Sequence, residues 1–452
     1  MDDRFLIRTL SNGLVLLGER MRGVSSAAMT LLVPSGAAVD PSGRVGSATV
    51  LAEWAMRGAG ARDSRALSDH LDRLGLQRSS GAGLYHVRYA CAAPAKRVLE
   101  ALPAYADIVQ RPLLPDSGFE PSRELALQGL AGLADDPRSR VLIKLRQLHW
   151  PAPFSRNAMG EEADLTAMTA DELRQHHTRA WRAGGMILAV AGAIDFDELE
   201  QVTIEQFASM TGRVDEPTET VAPTTRHHFA HADSEQTHIG LAWPSVPETD
   251  PDFYVARLAG EILSGGMSGR LFTEVREKRG LCYSVGASYA SLKTRADMLG
   301  YAGTTPDRAQ ATLDQFITEV RRLSEGVTIE ELQRAKTGLK ASIIMSGEST
   351  SSRAGAIAGD YFTRGIIRTL DEIKAAIDAV SLDRINAWLA ANRPGAFTIA
   401  VVGPKELKLP EGMNAPVVSI PSTAQRAGRR DRAQPRRALH RRRLVREGRV
   451  AR

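Results

Sequence analysis

Two periodicities run along the chain. "FLIRTLSNGLVLLGER" (5–20) flanks Asn12-Gly13 with apolar runs, which predicts a β-hairpin turning at that pair. "AAMTLLV" (27–33) and "YHVRYACAA" (85–93) predict further strands. Between and after them the apolar spacing turns helical. Helices are expected at about 43–57, at 64–74 (capped by Asp63 or Ser64 and closed by Gly75), and near 95–110, 119–134 and 138–149. The second half repeats the order. Strands are expected at 237–243, 282–290 and 296–304, and helices at 252–263, 268–279, 307–324, 329–346 and 350–364.

The halves also share a local plan. "TADELRQHHTRAWRAGGMILAVAGAI" (169–194) and "SLDRINAWLAANRPGAFTIAVVGP" (381–404) each read as a Ser/Thr cap, a helix, a Gly-bearing turn and a continuous apolar strand ending in Gly. Gly184 matches Gly395 and Gly192 matches Gly403. A duplicated domain explains this, with strands early and helices in runs. The expected class is α+β: two homologous domains, each a mainly antiparallel sheet packed by helices. The first spans 1–212, a linker 213–231, the second 232–421, and an Arg-rich disordered tail 422–452.

Composition changes the picture in two places. The net charge of +5 hides an asymmetry: residues 422–452 hold 12 Arg against two acids, while the body holds 46 basic and 51 acidic groups. The tail has no aromatic for base stacking and no apolar helical face, which argues against a nucleic-acid partner. Two cysteines 191 residues apart, Cys91 and Cys282, predict reduced thiols. The acidic N-terminus and the absence of long apolar runs predict a cytoplasmic protein with no membrane partner.

The chemistry lies in two stretches. "GSATVLAEWAMRGAGA" (46–61) resembles the metal helix of the pitrilysin/insulinase-type zinc peptidases, in the layout of the short processing-peptidase-like (inverzincin) members. Their segment reads roughly G-x-A-H-x-L-E-H-x-x-x-K-G-T. Gly46, Ala48, Leu51, Arg57 and Gly58 fit, but the two His stations fall on Thr49 and Glu53 and the Glu station on Ala52. In that family two imidazoles on one helix face hold zinc and the carboxylate takes a proton from its water. A further ligand comes from a Glu pair shortly before Asp-Asp-Pro. Asp135-Asp136-Pro137 is present here, preceded by Gln128 and Gly129 at those stations. The resemblance therefore implies no catalytic residue and no metal in this chain, with zinc in a partner subunit. Glu172, His176 and His177, and the group His227, His228, His231 and His238, are read as surface polar residues rather than an alternative metal site.

The second stretch, "GEILSGGMSGRLFTEVREKRGLCYSVGASY" (260–289), lacks Gly-Lys-Ser/Thr, which excludes a P-loop. It resembles the same family's Gly-x-x-S-R-L-F/Y element, whose Arg and Tyr clamp substrate. Arg276 and Tyr283 match that pair. The loop "SGGMSG" is shorter than the glycine loops of mitochondrial processing-peptidase subunits. Guanidinium and phenol both donate, which suits a peptide carbonyl and the oxyanion that develops on it. The resemblance, over 1–421, implies the non-catalytic, substrate-binding subunit of a heterodimeric zinc metalloendopeptidase that degrades or processes peptides beside a homologous H-x-x-E-H subunit. The alternative is a non-enzymatic scaffold of the same fold, like the core proteins of respiratory complex III.

Overall fold

The computed structural model describes residues 3–220 and 222–409. The tail 422–452 and the last residues assigned to the second domain lie outside them. The first sheet contains β1 (Phe5–Thr9), β2 (Val15–Arg20), β3 (Ser26–Val33), β4 (Gln77–Ala82), β5 (Val87–Pro94) and β6 (Ile187–Gly192), in spatial order β1-β2-β6-β3-β5-β4. The second contains β7 (His227–His231), β8 (Thr237–Ser245), β9 (Ser284–Ser291), β10 (Ala296–Thr304) and β11 (Thr398–Gly403), in order β7-β11-β8-β10-β9. Leaving out β1, the two orders are the same. The parallel pair falls at the same place in each, β2 with β6 and β7 with β11, and every other pairing is antiparallel. The duplication is therefore visible in strand order, and the α+β expectation holds.

The β1–β2 hairpin forms as its pattern predicts. Thr9 pairs with Val15, Gly13 takes φ +87°, and the Asn12 amide donates to the Phe207 and Met210 carbonyls. Each sheet packs one face against helices of its own half. The other face takes a helix from the opposite half. Helix Pro137–His149 places Val141 and Leu145 against Ala242, Leu299, Ala400 and Val402 of the second sheet. Helix Thr350–Arg364 places Ile357 and Ala358 against Val15, Leu17, Ile187 and Ala189 of the first, and Ala354 against Ala28 and Ala191. Small residues permit the close approach. At Gly240 a Cβ would stand 3.3 Å from Leu145.

Each exchanged helix is also held by a buried polar anchor. Arg353 donates from Nε to Glu19 Oε2 at 2.7 Å, and Arg4 pairs with the other oxygen at 2.6 Å. Reciprocally, Asp297 of β10 binds His149 Nε2 at 2.8 Å and accepts from Trp150 Nε1 at 2.9 Å, while His149 Nδ1 meets Thr398 Oγ1 at 2.8 Å. Glu19, Arg353, His149 and Asp297 are all buried.

The structure departs from the sequence pattern in places. The expected helix 43–57 is shortened to Ser47–Trp54, because Gly46 is left-handed at its start and a short ladder, Gly58–Ala59 with Arg62–Asp63, follows it. The expected helix 268–279 winds as a π-helix over Phe272–Glu277. His227–His231, placed in the linker, is the edge strand β7. The pattern does not mark β4 or the helices Glu162–Ala167, Phe196–Phe207 and Leu370–Asp378.

Removing Arg353 leaves Glu19 Oε2 without its buried donor while Arg4 still holds Oε1, and losing one partner of a buried charged acceptor costs about 1–3 kcal/mol. Arg353→Ala should therefore lower the unfolding free energy by about that amount. Glu19→Leu combined with Arg353→Leu should recover much of it. Urea denaturation of the three proteins checks this, and equal stability of Arg353→Ala and wild type would contradict it.

Candidate functional site

The helix Ser47–Trp54 is set by its start. The Asp40 carboxyl accepts from the backbone N–H groups of Gly46 and Ala48 at 2.8 and 2.9 Å, satisfying two of the helix's free donors. Gly46 has φ +109°, and a Cβ there would meet Leu165 at 2.7 Å and Gly160 at 2.9 Å, so only glycine fits. Ala48, Val50, Leu51 and Trp54 are buried. Trp54 packs on Phe119 with ring centroids 5.3 Å apart and donates from Nε1 to the Pro115 carbonyl. The Tyr89 hydroxyl donates to the Ala52 carbonyl at 3.1 Å.

The family's three chemical stations on this helix are all engaged elsewhere. Thr49 Oγ1 donates to the Ala158 carbonyl, Ala52 is buried, and Glu53 pairs with Arg57 at 3.0 Å. Gln128 and Gly129 lie exposed on the neighbouring helix Asp116–Ala131. The set thus offers one hydroxyl tied to backbone and one ion-paired carboxylate, while tetrahedral zinc takes Cys, His or carboxylate ligands, three of them in a catalytic site. Among the described residues no group of three or more His, Cys, Asp or Glu side chains converges as a metal site.

The histidines read as surface residues turn out partly structural. His176 is buried, with Nε2 3.9 Å from Asp40 Oδ1, and burial pushes it down to about 4. His177 Nε2 meets the Val109 carbonyl at 3.0 Å, and its ring lies 4.8 Å from Trp181. His238 Nδ1 meets the Tyr301 hydroxyl at 2.9 Å. Glu172 closes the Thr169 capping box and pairs with Arg44, which with Thr169 holds its carboxyl down at about 2. His231 is exposed beside Asp233, Glu172 keeps much of its side chain in solvent, and His227 and His228 are half-buried.

The second-half element begins after Leu271. Over Phe272–Glu277 the backbone is π-wound, with Lys278 N–H donating to the Thr273 carbonyl. Such turns are frequent at functional sites. Glu274 takes Lys278 at 2.8 Å and Arg279 at 2.9 Å, and these hydrogen bonds lower its pKa. Gly280 ends the helix at φ +59°. Arg276 is exposed, its guanidinium 4.8 Å from the centroid of Phe272. It lies near enough to Cys282 to oppose the burial that lifts that thiol to about 11. Tyr283, next along the chain, is 60% exposed and anchored through its backbone N–H to the Gly303 carbonyl. The same connection therefore carries both predicted residues. Neither side chain makes a hydrogen bond or ion pair with the described residues, so their donors are free for another molecule.

Comparison with known proteins finds relatives along most of the chain. The family model described as Insulinase (Peptidase family M16) matches residues 16–158, and that described as Peptidase M16 inactive domain matches 167–339. A protein described as an uncharacterized zinc protease of Rickettsia felis is 26% identical over 410 residues, covering 90% of this chain and all of its own length. One of Mycobacterium tuberculosis is 27% identical over 428 residues, covering 90% of this chain and 96% of its own. Among solved structures, a peptidase M16 inactive domain from Pseudomonas fluorescens superposes with TM-score 0.82 at 22% identity, covering 90% of this chain and 100% of that one. A protease from Helicobacter pylori gives 0.81 at 18%, covering 88% and 99%.

Burial lifts Asp40 from 3.8 to about 7, against the pull of its two backbone donors and Arg156. A carboxyl raised in the folded state stabilises fully below its unfolded pKa, and that contribution is lost as pH climbs through the folded value. Asp40 therefore weakens the fold between about pH 4 and about pH 7. His176 has the opposite sign, losing its contribution as pH falls from 6.5 through about 4. Comparing wild type with Asp40→Asn separates the two. Across that window the wild type should lose about 2–4 kcal/mol more than the variant in denaturant titrations. Parallel stability profiles would contradict this.

Proposed function

Because the chain belongs to the insulinase (M16) peptidase family, we propose that it is the non-catalytic, substrate-binding subunit of a heterodimeric zinc metalloendopeptidase. One contrast carries the reading. Thr49, Ala52 and Glu53 are locked into backbone, core and ion pair, while Arg276 and Tyr283 stand exposed with free donors. This chain then binds no catalytic zinc. A homologous H-x-x-E-H subunit would hold the metal through its two histidines, and the chemistry supplied there would be Lewis-acid activation of a water. Arg276 and Tyr283 reach a peptide held between the subunits and donate to the scissile carbonyl, strengthening as negative charge develops on its oxygen. The buried free thiols Cys91 and Cys282 accord with a reducing, cytoplasmic setting. No helix among the described residues is long and apolar enough to cross a membrane.

A scaffold of the same fold is the second reading. The stacking of Arg276 on Phe272 favours it, since a guanidinium held that way also serves packing alone.

Two predictions separate these readings. Elemental analysis of the isolated chain should find well under one zinc per molecule, and peptidase activity should emerge on co-expression with the H-x-x-E-H subunit, the two co-eluting in size exclusion. About one firmly bound zinc per chain would contradict the reading.

In the reconstituted pair, Arg276→Ala and Tyr283→Phe should each lower kcat/KM by roughly 10- to 100-fold while assembly is retained. Tyr283→Phe removes one hydroxyl and keeps the ring, so its loss should appear in kcat. Values within about twofold of wild type for both variants would favour the scaffold.

A further inference from the structure

A cavity of about 740 Å³ lies between the two halves, away from both stretches described above. Ligand pockets are typically about 300–1,000 Å³. Val15 and Ile187 of the first sheet contribute apolar wall, and the far end of the exchanged helix Thr350–Arg364 closes one side. Three aromatic rings gather there: Tyr85 lies 5.4 Å from Phe154 and 5.0 Å from Phe362, centroid to centroid.

Neutral polar groups stand among these rings, while four of the lining's charged residues, Arg213, Asp215, Glu216 and Glu219, belong to the covering segment 213–220. His86 meets Phe362 edge-on at 4.5 Å and makes no side-chain hydrogen bond with the described residues. Burial pushes it down to about 4, so near neutral pH its ring is uncharged, with one donor and one acceptor nitrogen. The Tyr85 hydroxyl accepts from the Lys293 backbone N–H at 3.2 Å, which leaves its own proton to donate. Lys293 Nζ is engaged twice, by Glu216 at 2.6 Å and over the Phe362 ring at 5.1 Å. Beside the rings the cavity thus offers neutral hydrogen-bonding groups. Of the charges at its wall, Lys293 and Glu216 pair with each other, Glu219 pairs with Arg295, Arg364 lies 3.7 Å from Glu248, and Arg213 and Asp215 stand exposed at its rim.

The roof is a strap, residues 213–220. It is pinned at its ends by Gly184 N–H to the Gly212 carbonyl at 2.9 Å and Thr220 N–H to the Ala152 carbonyl at 2.8 Å. Between them, Glu216 and Glu219 tie it to Lys293 and Arg295, and the rest is largely exposed. Ion pairs of such exposure hold weakly, so the strap can lift between its pins.

We propose that this cavity is a binding site for a small, uncharged aromatic molecule bearing a hydroxyl or similar hydrogen-bonding group, admitted beneath the 213–220 strap. The ligand's ring stacks among Tyr85, Phe154 and Phe362, and its polar group meets His86 or the Tyr85 hydroxyl. A ligand there touches both halves and the segment joining them, so it stabilises their arrangement.

The test uses the isolated full chain, and so stands apart from the partner reading. Binding of 2-naphthol is followed by saturation-transfer NMR and calorimetry, with 2-naphthalenesulfonate as the charged counterpart. Saturable one-to-one binding of 2-naphthol, at least tenfold tighter than the sulfonate, is expected. Thr294→Trp, which fills the cavity from the second half, should weaken it at least tenfold, as should Thr218→Trp on the exposed strap, which does not depend on core packing. His86→Phe should weaken 2-naphthol and leave naphthalene unchanged. Absence of saturable binding, equal affinity for the sulfonate, or binding indifferent to whichever filling variants fold would overturn the proposal.

Discussion

The structure depends on the exchange of one helix between its halves. Each sheet has an apolar face that its own helices do not reach, and that face must be covered. Val15, Leu17, Ile187 and Ala189 are covered by helix Thr350–Arg364, and Ala242, Leu299, Ala400 and Val402 by helix Pro137–His149. Fully burying an aliphatic side chain is worth about 1.5–3 kcal/mol, so separating the halves would expose two such patches at once. The buried acids sharpen the constraint. Glu19 and Asp297 sit in opposite sheets, and each is satisfied by a helix or turn residue from the other half. An unpaired buried carboxylate is costly, so the exchange fixes a geometry as well as an area.

The helix with other residues at the family's ligand stations is held within the first half alone. Helix Ser47–Trp54 owes its position to Asp40 at its N-terminus, Trp54 against Phe119, and Tyr89 on the Ala52 carbonyl. None of these contacts involves Thr49 or Glu53 side chains. A structural zinc site would be different, because there the ligands are the fold. Here the stations are free to change while the scaffold that presents Arg276 and Tyr283 is kept.

Much of this was legible in the sequence. Apolar alternation around Asn12-Gly13 and the paired cap–helix–turn–strand segments predicted the hairpin and the duplication, because local turn chemistry and burial pointed the same way. What was hidden depended on distant partners. β4, "QRSSGA", has almost no apolar side chain and is a strand only because β5 offers it a ladder. His227–His231 looked like a joint and joins the sheet through β11. The π-wound turn at Phe272–Glu277 reads as ordinary helix, since composition does not distinguish the two windings. Arg276 and Tyr283 were found through a motif, but their exposure came from the fold. Glu19, Arg353 and Asp297 gave no signal, since a charged residue in a chain shows nothing of the opposite charge it will meet.

The central claim is that this chain's second half touches substrate beside another subunit's metal, and one measurement reaches it directly. A peptide carrying a photoreactive side chain next to its scissile bond would be bound to the assembled pair, with the partner's catalytic glutamate replaced so that the peptide survives. After irradiation the cross-links would be mapped by mass spectrometry. Cross-links on residues 272–284 of this chain as well as on the partner's metal helix are predicted. Cross-links confined to the partner would contradict the account.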